Sequence, residues 1–197
     1  MKDTRSRILE AALTLFARHG YGETGMRLIA GEAGIRAPSI YKHFSSKEAI
    51  LEALLERYGP GHMSGAILKA GDCNNPEEIT NYLLGILLNM FGSDEDNRVM
   101  RVVMGEALRD EKIAALLNET LFVRECRNLE RLFSTLRSKG IIGKQFDPRV
   151  LANECISKGF SRRYEVLIAR DRKKTLARVK RDLRRQLEFF CAHICAG

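Results

Sequence analysis

The chain contains no tryptophan, only 4 prolines among 197 residues, and few runs of β-branched residues. Few prolines leave long segments free to form helices, and few β-branched runs argue against a sheet. No stretch reaches the roughly 18 apolar residues of a membrane-spanning helix. The N-terminal segment is charged and amphipathic and has no small-residue cleavage site, so we expect no signal peptide and a cytoplasmic protein.

The cysteines are few and odd in number, 5 at irregular spacings, which excludes a disulfide framework. Cys191, His193 and Cys195 raise the alternative of a metal or redox cluster. On a helix, Cys191 and Cys195 share a face and His193 points away, so this segment supplies only two ligands. We predict small apolar packing residues here, and no metal or cofactor.

Sequence signatures of common enzymes are also missing. The chain has no P-loop, no G-x-G-x-x-G, no H-E-x-x-H and no G-x-S-x-G, and it holds only 4 histidines. These patterns mark nucleotide-binding, metalloprotease and hydrolase sites. We therefore predict that the protein is not an enzyme.

The net charge is +8, which suggests a polyanionic partner. The excess is uneven: residues 1–58 carry +2, residues 59–146 carry −1 and residues 147–197 carry +7. Charge alone would place a polyanion site in the last quarter. The helical pattern there gives one face seven basic residues, which we interpret as a solvated face, with a nucleic-acid or anionic-surface contact as the alternative.

Apolar residues recur at helical spacing along almost the whole chain, which predicts an all-α fold of about nine helices. Glycines, prolines and capping residues mark the ends, including Thr24 as N-cap of the second helix and a Ser45/Glu48 capping box before the fourth. Gly59-Pro60-Gly61 predicts a break or kink after the fourth helix. The predicted helices are 4–19, one that follows Thr24, 37–43, one from 47, 76–91, 95–108, 111–138, 147–169 and 172–193.

The segment IAGEAGI, residues 29–35, followed by SIYKHF, residues 39–44, predicts a helix-turn-helix. The turn glycine Gly34 lets a second short helix cross the first steeply, with its outer face free to enter a major groove.

Residues 4 to about 55 resemble the DNA-binding domain of the tetracycline-repressor (TetR) family throughout. The resemblance rests on Ile8-Leu9-Glu10-Ala11-Ala12, Leu15-Phe16, Gly20-Tyr21, Thr24, Met26-Arg27, Ile29-Ala30, Ala33-Gly34, Ser39-Ile40-Tyr41, His43-Phe44 and Ser46-Lys47-Glu48-Ala49-Ile50. It implies a DNA-binding domain at 1–46, followed by a helical ligand-binding and dimerisation domain at 47–197. The later part resembles the family only in length and helix count.

Residue chemistry, supported by the family, assigns candidate DNA contacts. Arg27, Lys47 and the Thr24 hydroxyl are placed for phosphate contacts at helix starts. On the third helix Ala37, Pro38, Ser39, Lys42 and His43 would face the groove, and Tyr41 would reach a phosphate. Ile40 and Phe44 are structural.

Two positions depart from the family pattern. Arg36 stands where the family often has a capping Ser or Thr, so we expect the third helix to begin one residue later. We hypothesise that Arg36 contacts a guanine or a phosphate. Gly25 stands where the family usually has a small hydroxyl residue, which removes one possible phosphate contact.

In the last two helices an a/d-like stripe suggests an interface. The family implies a homodimer formed there as a four-helix arrangement, and the alternative is packing of the same stripe inside one chain. The predicted interface residues are Cys155, Ile156, Leu167, Leu176, Val179, Leu183, Leu187 and Phe190.

Flexible and aromatic apolar residues are frequent in the middle helices and could line a pocket for a mostly apolar small molecule. For any single residue, ordinary core packing is the alternative. The candidates are Met63, Tyr82, Met90, Met100, Met104 and Phe122.

Together these patterns predict a homodimeric transcriptional regulator, most simply a repressor, released from a palindromic double-stranded operator by a small-molecule effector. The alternative is a ligand-independent DNA-bound adaptor whose helical body docks another protein. A closed apolar cavity would favour the first, and a filled core with an exposed apolar patch the second.

Overall fold

A computed structural model describes residues 3–58, 73–91 and 94–195, with the side chains of Tyr58 and 94–96 left aside. This part of the chain is helical throughout and contains nine helices. The first four are α1 (Thr4–His19), α2 (Met26–Glu32), α3 (Ala37–Ile40) and α4 (Lys47–Tyr58). The next two are α5 (Pro76–Asn89) and α6 (Asp94–Ala107). The last three are α7, α8 (Pro148–Ile168) and α9 (Arg172–Cys195).

Helix α7 runs without a break through three segments. Glu111–Leu117 is α-helical, Asn118–Val123 is π-helical and Arg124–Ser138 is α-helical again. Asp110 opens the helix, since its side chain accepts hydrogen bonds from the N–H groups of the next turn. A π-helical segment inside an α-helix is uncommon and often marks a functional region.

The all-α prediction is confirmed, and most helix ends fall within two residues of the predicted ones. Gly20 ends α1 with φ 83°, as its C-terminal position requires. Asn75 and Asp147 cap α5 and α8, each before the proline that occupies the first turn. The predicted break at Gly59-Pro60-Gly61 lies outside the described residues.

Three caps differ from the sequence prediction. Gly25, not Thr24, is the N-cap of α2 and makes no side-chain cap bond. Arg36 is the N-cap of α3, so the expected one-residue shift does not occur, and regular helix ends early, at Ile40. The Ser46 hydroxyl, not that of Ser45, accepts the Ala49 N–H at 3.2 Å. The predicted capping box is therefore replaced by a cap one residue later.

The described residues form two compact units. The first comprises those within 1–61 and 93–119, and the second those within 62–92 and 120–197. In this grouping α4, α6 and the start of α7 lie with the helix-turn-helix, and the domain boundary at residue 46 stays a prediction. In the first unit α1 packs against α2, α4 and α6. In the second, α7 packs on α8 and α9 packs on α5.

No helix among the described residues is long and apolar enough to cross a membrane.

Candidate DNA-binding surface

The turn between α2 and α3 is tight and braced. Gly34 has φ +65°, and the N–H groups of Gly34 and Ile35 donate to carbonyls of α2 at 3.0 Å. The Arg7 guanidinium of α1 donates to the carbonyls of Ala33 and Gly34. No sequence pattern marks Arg7 for this role, because its partners are backbone atoms more than twenty-five residues away.

We expect Gly34→Ala to lower the free energy of unfolding by about 1–2 kcal/mol. A residue with a Cβ is strained at positive φ, and this Cβ would lie 2.9 Å from Arg7 Nη2. Gly31→Ala is the matched control, since Gly31 lies within helix α2 and an added Cβ meets nothing within 4 Å. Urea denaturation should show the control unchanged or stabilised by up to about 1 kcal/mol. Equal losses in both variants would contradict the strain at Gly34.

The recognition segment, residues 36–44, is anchored on one side and open on the other. Ile40 is 0% exposed and Phe44 is 3% exposed, and the Arg5 guanidinium lies over the Phe44 ring at 4.5 Å. After α3 ends, the N–H groups of Lys42, His43 and Phe44 still donate to carbonyls of α3. The backbone from 41 to 44 therefore continues in helical turns, and the recognition segment keeps one solvent-exposed face.

That outward face carries most of the predicted groove contacts. Arg36, Pro38, Tyr41, Lys42 and His43 are exposed, while Ala37 and Ser39 are half-buried. The structure thus brings these residues together on one surface, and their contact with DNA stays a prediction. Arg27 is also exposed, on the first turn of α2.

Thr24 does not fit its predicted role. It is 0% exposed, and its hydroxyl donates to the Gly20 carbonyl at 2.8 Å. The hydroxyl closes the turn between α1 and α2 from inside. We therefore withdraw Thr24 as a phosphate contact.

Lys47 is half-buried and already bonded within the chain. Its Nζ donates to the carbonyls of Tyr21 at 2.6 Å and Gly22 at 3.3 Å, and lies 4.1 Å from the centre of the Tyr21 ring. The ammonium reinforces the α1–α2 turn. A phosphate contact would have to share or replace these bonds.

Glu106 holds the same turn from α6. Its Oε1 accepts the Tyr21 N–H at 3.2 Å. The α1–α2 turn is thus fixed by α4 through Lys47 and by α6 through Glu106. No sequence pattern marks Glu106, because a single glutamate near the end of a helix carries no local signal of a backbone partner 85 residues away.

The stripe predicted as a dimer interface lies inside the chain instead. Val179, Leu183 and Leu187 are 0% exposed within a single chain, and Cys155, Ile156 and Leu167 are at most 8% exposed. Since α9 packs on α5, these side chains belong to the core of the second unit, apart from Leu167, which is buried outside that cluster. The intramolecular alternative therefore holds for them, while Leu176 and Phe190 are half-buried.

A different face of α8 and α9 is open. A groove of about 770 Å³ runs between them, and we call it the α8–α9 groove. Phe189 is 79% exposed there. Glu165 on α8 accepts a hydrogen bond from Arg178 on α9, which joins the two helices, and another from Arg162 within α8. The groove is lined by Ser157, Lys158, Ser161, Arg162, Arg185, Gln186, Phe189, Phe190 and His193.

The candidate pocket residues are scattered. Met90 and Met100 are 0% exposed, and Tyr82 and Met104 are half-buried. Phe122 is 42% exposed, stacks on Phe160 at 4.3 Å and lines a cavity of about 380 Å³. Met63 lies outside the described residues. The assignment of these residues to one ligand pocket stays a prediction.

The terminal cysteines pack as small apolar groups. Cys191 is buried and His193 exposed, on different faces as the helical spacing predicts. Burial raises the pKa of the Cys191 thiol to about 11 and that of Cys155 to about 12. Across the described ranges, no three His, Cys, Asp or Glu side chains are grouped to hold a metal ion.

A braced turn between two short helices, the second of them facing outward, is the arrangement of a helix-turn-helix domain. Residues 8–54 match the family model of bacterial regulatory proteins of the tetR family. This segment, about a quarter of the chain, is similar to the DNA-binding domain of the TetR family.

Individual relatives are distant. The HTH-type transcriptional regulator UidR of Escherichia coli strain K12 is 26% identical over 115 residues, which are 58% of this chain and 57% of UidR. The matched region thus spans little more than half of that relative's length.

Solved structures share the fold over nearly the whole chain. Salmonella enterica GusR is 22% identical, with a TM-score of 0.71 over 96% of this chain and 95% of its own. SmeT, in complex with triclosan, is 20% identical, with a TM-score of 0.78 over 100% of this chain and 94% of its own. At such identities the likeness establishes the fold alone.

Proposed function

We propose that the protein is a repressor that binds a palindromic DNA operator as a homodimer and leaves it when a small, largely apolar ligand binds the body. The observation that carries the proposal is the recognition segment. It is anchored by buried Ile40 and Phe44 and displays Tyr41, Lys42 and His43 outward. Such a segment suits the major groove, whose base edges and flanking phosphates these side chains can reach.

The dimer is proposed to form through the α8–α9 groove. Phe189, Tyr164 and Ile168 expose 79%, 54% and 64% of their surface on these two helices. A two-fold axis through this face would make the interface self-complementary. A dimer of helix-turn-helix subunits binds a palindrome whose half-sites lie about one helical turn, roughly 34–36 Å, apart.

Release requires that the ligand favour a conformation in which the recognition segments are wrongly spaced, with a typical coupling of 1–3 kcal/mol. Two contacts are placed to transmit this change to the α1–α2 turn. Lys47 belongs to α4 and Glu106 to α6. The complex of SmeT with triclosan supports a small molecule as effector.

Selection from a random pool of DNA duplexes, at near-physiological salt, tests DNA binding directly. We expect recovery of a palindrome, whose half-site spacing measures the separation of the recognition segments. A reporter gene behind that palindrome then tests repression, which requires lower expression when the protein is present. Recovery of no consensus, with binding that vanishes steeply as salt rises, would leave only backbone contacts and contradict the proposal.

Arg36→Ala should weaken operator binding about 5- to 100-fold, because the exposed guanidinium is placed to contact a guanine or a phosphate. A guanine contact predicts relaxed preference at one base pair, and a phosphate contact predicts a shallower salt dependence. Arg131→Ala, an exposed arginine on α7, is the matched control. Gel-shift titration of both variants on the selected duplex measures the effect. Unchanged affinity and base preference in Arg36→Ala would remove this residue from the interface.

A further inference from the structure

Glu125 lies where the helix pattern calls for an apolar residue. Leu129, Leu132 and Leu136 follow it on α7 at steps of 4, 3 and 4, and all of them are at most 4% exposed. Glu125 itself is 1% exposed. The first position of the buried stripe is therefore a carboxylate.

The carboxylate is poorly satisfied by the chain. Its Oε1 has no hydrogen-bond partner, and its Oε2 accepts only a long bond, 3.5 Å, from Asn128 Nδ2. A cation, Arg124 Nε, lies 3.5 Å from Oε1, but the Arg124 side chain remains 39% exposed. Burial raises the pKa of Glu125 above its ordinary value.

A buried polar atom without a partner is destabilising, so its presence in a protein calls for a reason, such as a functional role or a bound partner. The π-helical segment Asn118–Val123 ends two residues before Glu125, and π-helical turns are frequent at functional sites. Two independent features therefore mark the same turn of α7.

We infer that Glu125 is the polar anchor of the effector site and that the effector is an apolar amine, bound as its ammonium ion. This inference rests on the proposed function, since it names the ligand class of that regulator. A carboxylate accepts hydrogen bonds and donates none, so its partner must be a donor. An ammonium supplies N–H donors and a compensating charge, and the resulting bond is short and strong.

The side chains next to Glu125 indicate the chemistry of the remainder of the ligand. Leu121 and Leu129, on either side of Glu125 in the sequence, are 1% and 0% exposed. An occupant that reaches the carboxylate meets apolar side chains beside it. A single charged end on an apolar chain or ring matches this environment better than a polyol or a dicarboxylate.

Binding is tested on DNA-free protein by calorimetry and thermal shift, with three six-carbon probes at pH 7: hexylammonium, 1-hexanol and hexanoate. We expect hexylammonium to bind at least about tenfold more tightly than the other two. Glu125→Gln should remove this preference. Glu111→Gln, an exposed glutamate at the start of α7, should keep it.

Equal binding of the three probes, no binding of hexylammonium to the original chain, or unchanged binding to Glu125→Gln would each overturn the inference. The outcome is independent of the operator, so a failure to find a palindrome would defeat the proposed function alone. Hexylammonium that binds through Glu125 without altering operator affinity would support the site and contradict the release mechanism.

A second variant separates this role from a structural one. Glu125→Leu completes the apolar stripe, and we expect it to raise the melting temperature at pH 7 by a few degrees, because an incompletely bonded buried carboxylate is removed. A lower melting temperature would show that the carboxylate stabilises the fold, and would overturn the inference.

Discussion

Phe189→Lys is expected to convert the proposed dimer to a monomer and to weaken operator binding by about 100-fold or more. The side chain is 79% exposed in a groove already lined by Lys158, Arg162 and Arg185. In a two-fold interface each subunit contributes the substituted residue, so two lysine ammonium groups would be buried beside the cations that already line the groove. Loss of a central aromatic anchor typically costs about 2 kcal/mol or more, which is roughly a 30-fold change in the dimer dissociation constant.

Analytical ultracentrifugation over a range of protein concentrations measures the first effect, and gel-shift titration measures the second. A monomer engages one half-site and loses the advantage of a linked second contact, which accounts for the larger loss on DNA. Leu108→Lys is the matched control, because Leu108 is 90% exposed at the end of α6. A variant that remains dimeric at the concentrations of the original chain would place the interface elsewhere.

Helix periodicity predicted the architecture well because apolar spacing and end signals are local. Gly20 and Gly34 have positive φ, Asp147 caps α8, and Ile40 and Phe44 are buried. Each of these outcomes depends on a residue and its neighbours within one or two turns. The cap prediction failed where two adjacent residues could both serve, as with Ser45 and Ser46. Both have the same chemistry, and only the residue at which the helix begins decides which one is the cap.

The choice of interface could not be made from spacing. An a/d-like stripe on α9 fits packing against another helix of the same chain as well as packing against a second copy. The described structure covers Val179, Leu183 and Leu187 with α5 and its neighbours. Phe189 is two residues from Leu187, so it lies on a different face of α9 and is not part of the stripe. Phe189 becomes a candidate interface residue only when the structure shows that the stripe is already buried within the chain.

The braces of the α1–α2 and α2–α3 turns were equally invisible. Arg7, Lys47 and Glu106 bind backbone atoms, which carry no residue-specific signal, at separations of 26 to 85 residues. Thr24 shows the converse. From sequence, a hydroxyl near a helix start is a reasonable phosphate contact, but in the structure the α1–α2 turn buries it. Glu125 was hidden because a glutamate in a charged helix resembles a solvent-facing one, and only its burial separates it from its neighbours.

Leu183→Ala is expected to lower the free energy of unfolding by about 2–5 kcal/mol, the cost of an apolar cavity in a packed core. Leu183 is 0% exposed within one chain, so the loss must appear in the monomer as well as in the dimer. The Phe189→Lys background supplies that monomer. Urea denaturation at fixed protein concentration measures the loss in both backgrounds, because dimer stability depends on concentration.

Leu108→Ala makes the same chemical change at a 90% exposed position and should fall within about 0.5 kcal/mol of the original chain. If Leu183 instead formed the interface, its substitution would shift the dimer equilibrium and leave monomer unfolding nearly unchanged. The two substitutions on α9 therefore separate its faces. Leu183→Ala should lower the free energy of unfolding and leave the oligomeric state unchanged. Phe189→Lys should abolish the proposed dimer and leave the unfolding of the single chain nearly unchanged.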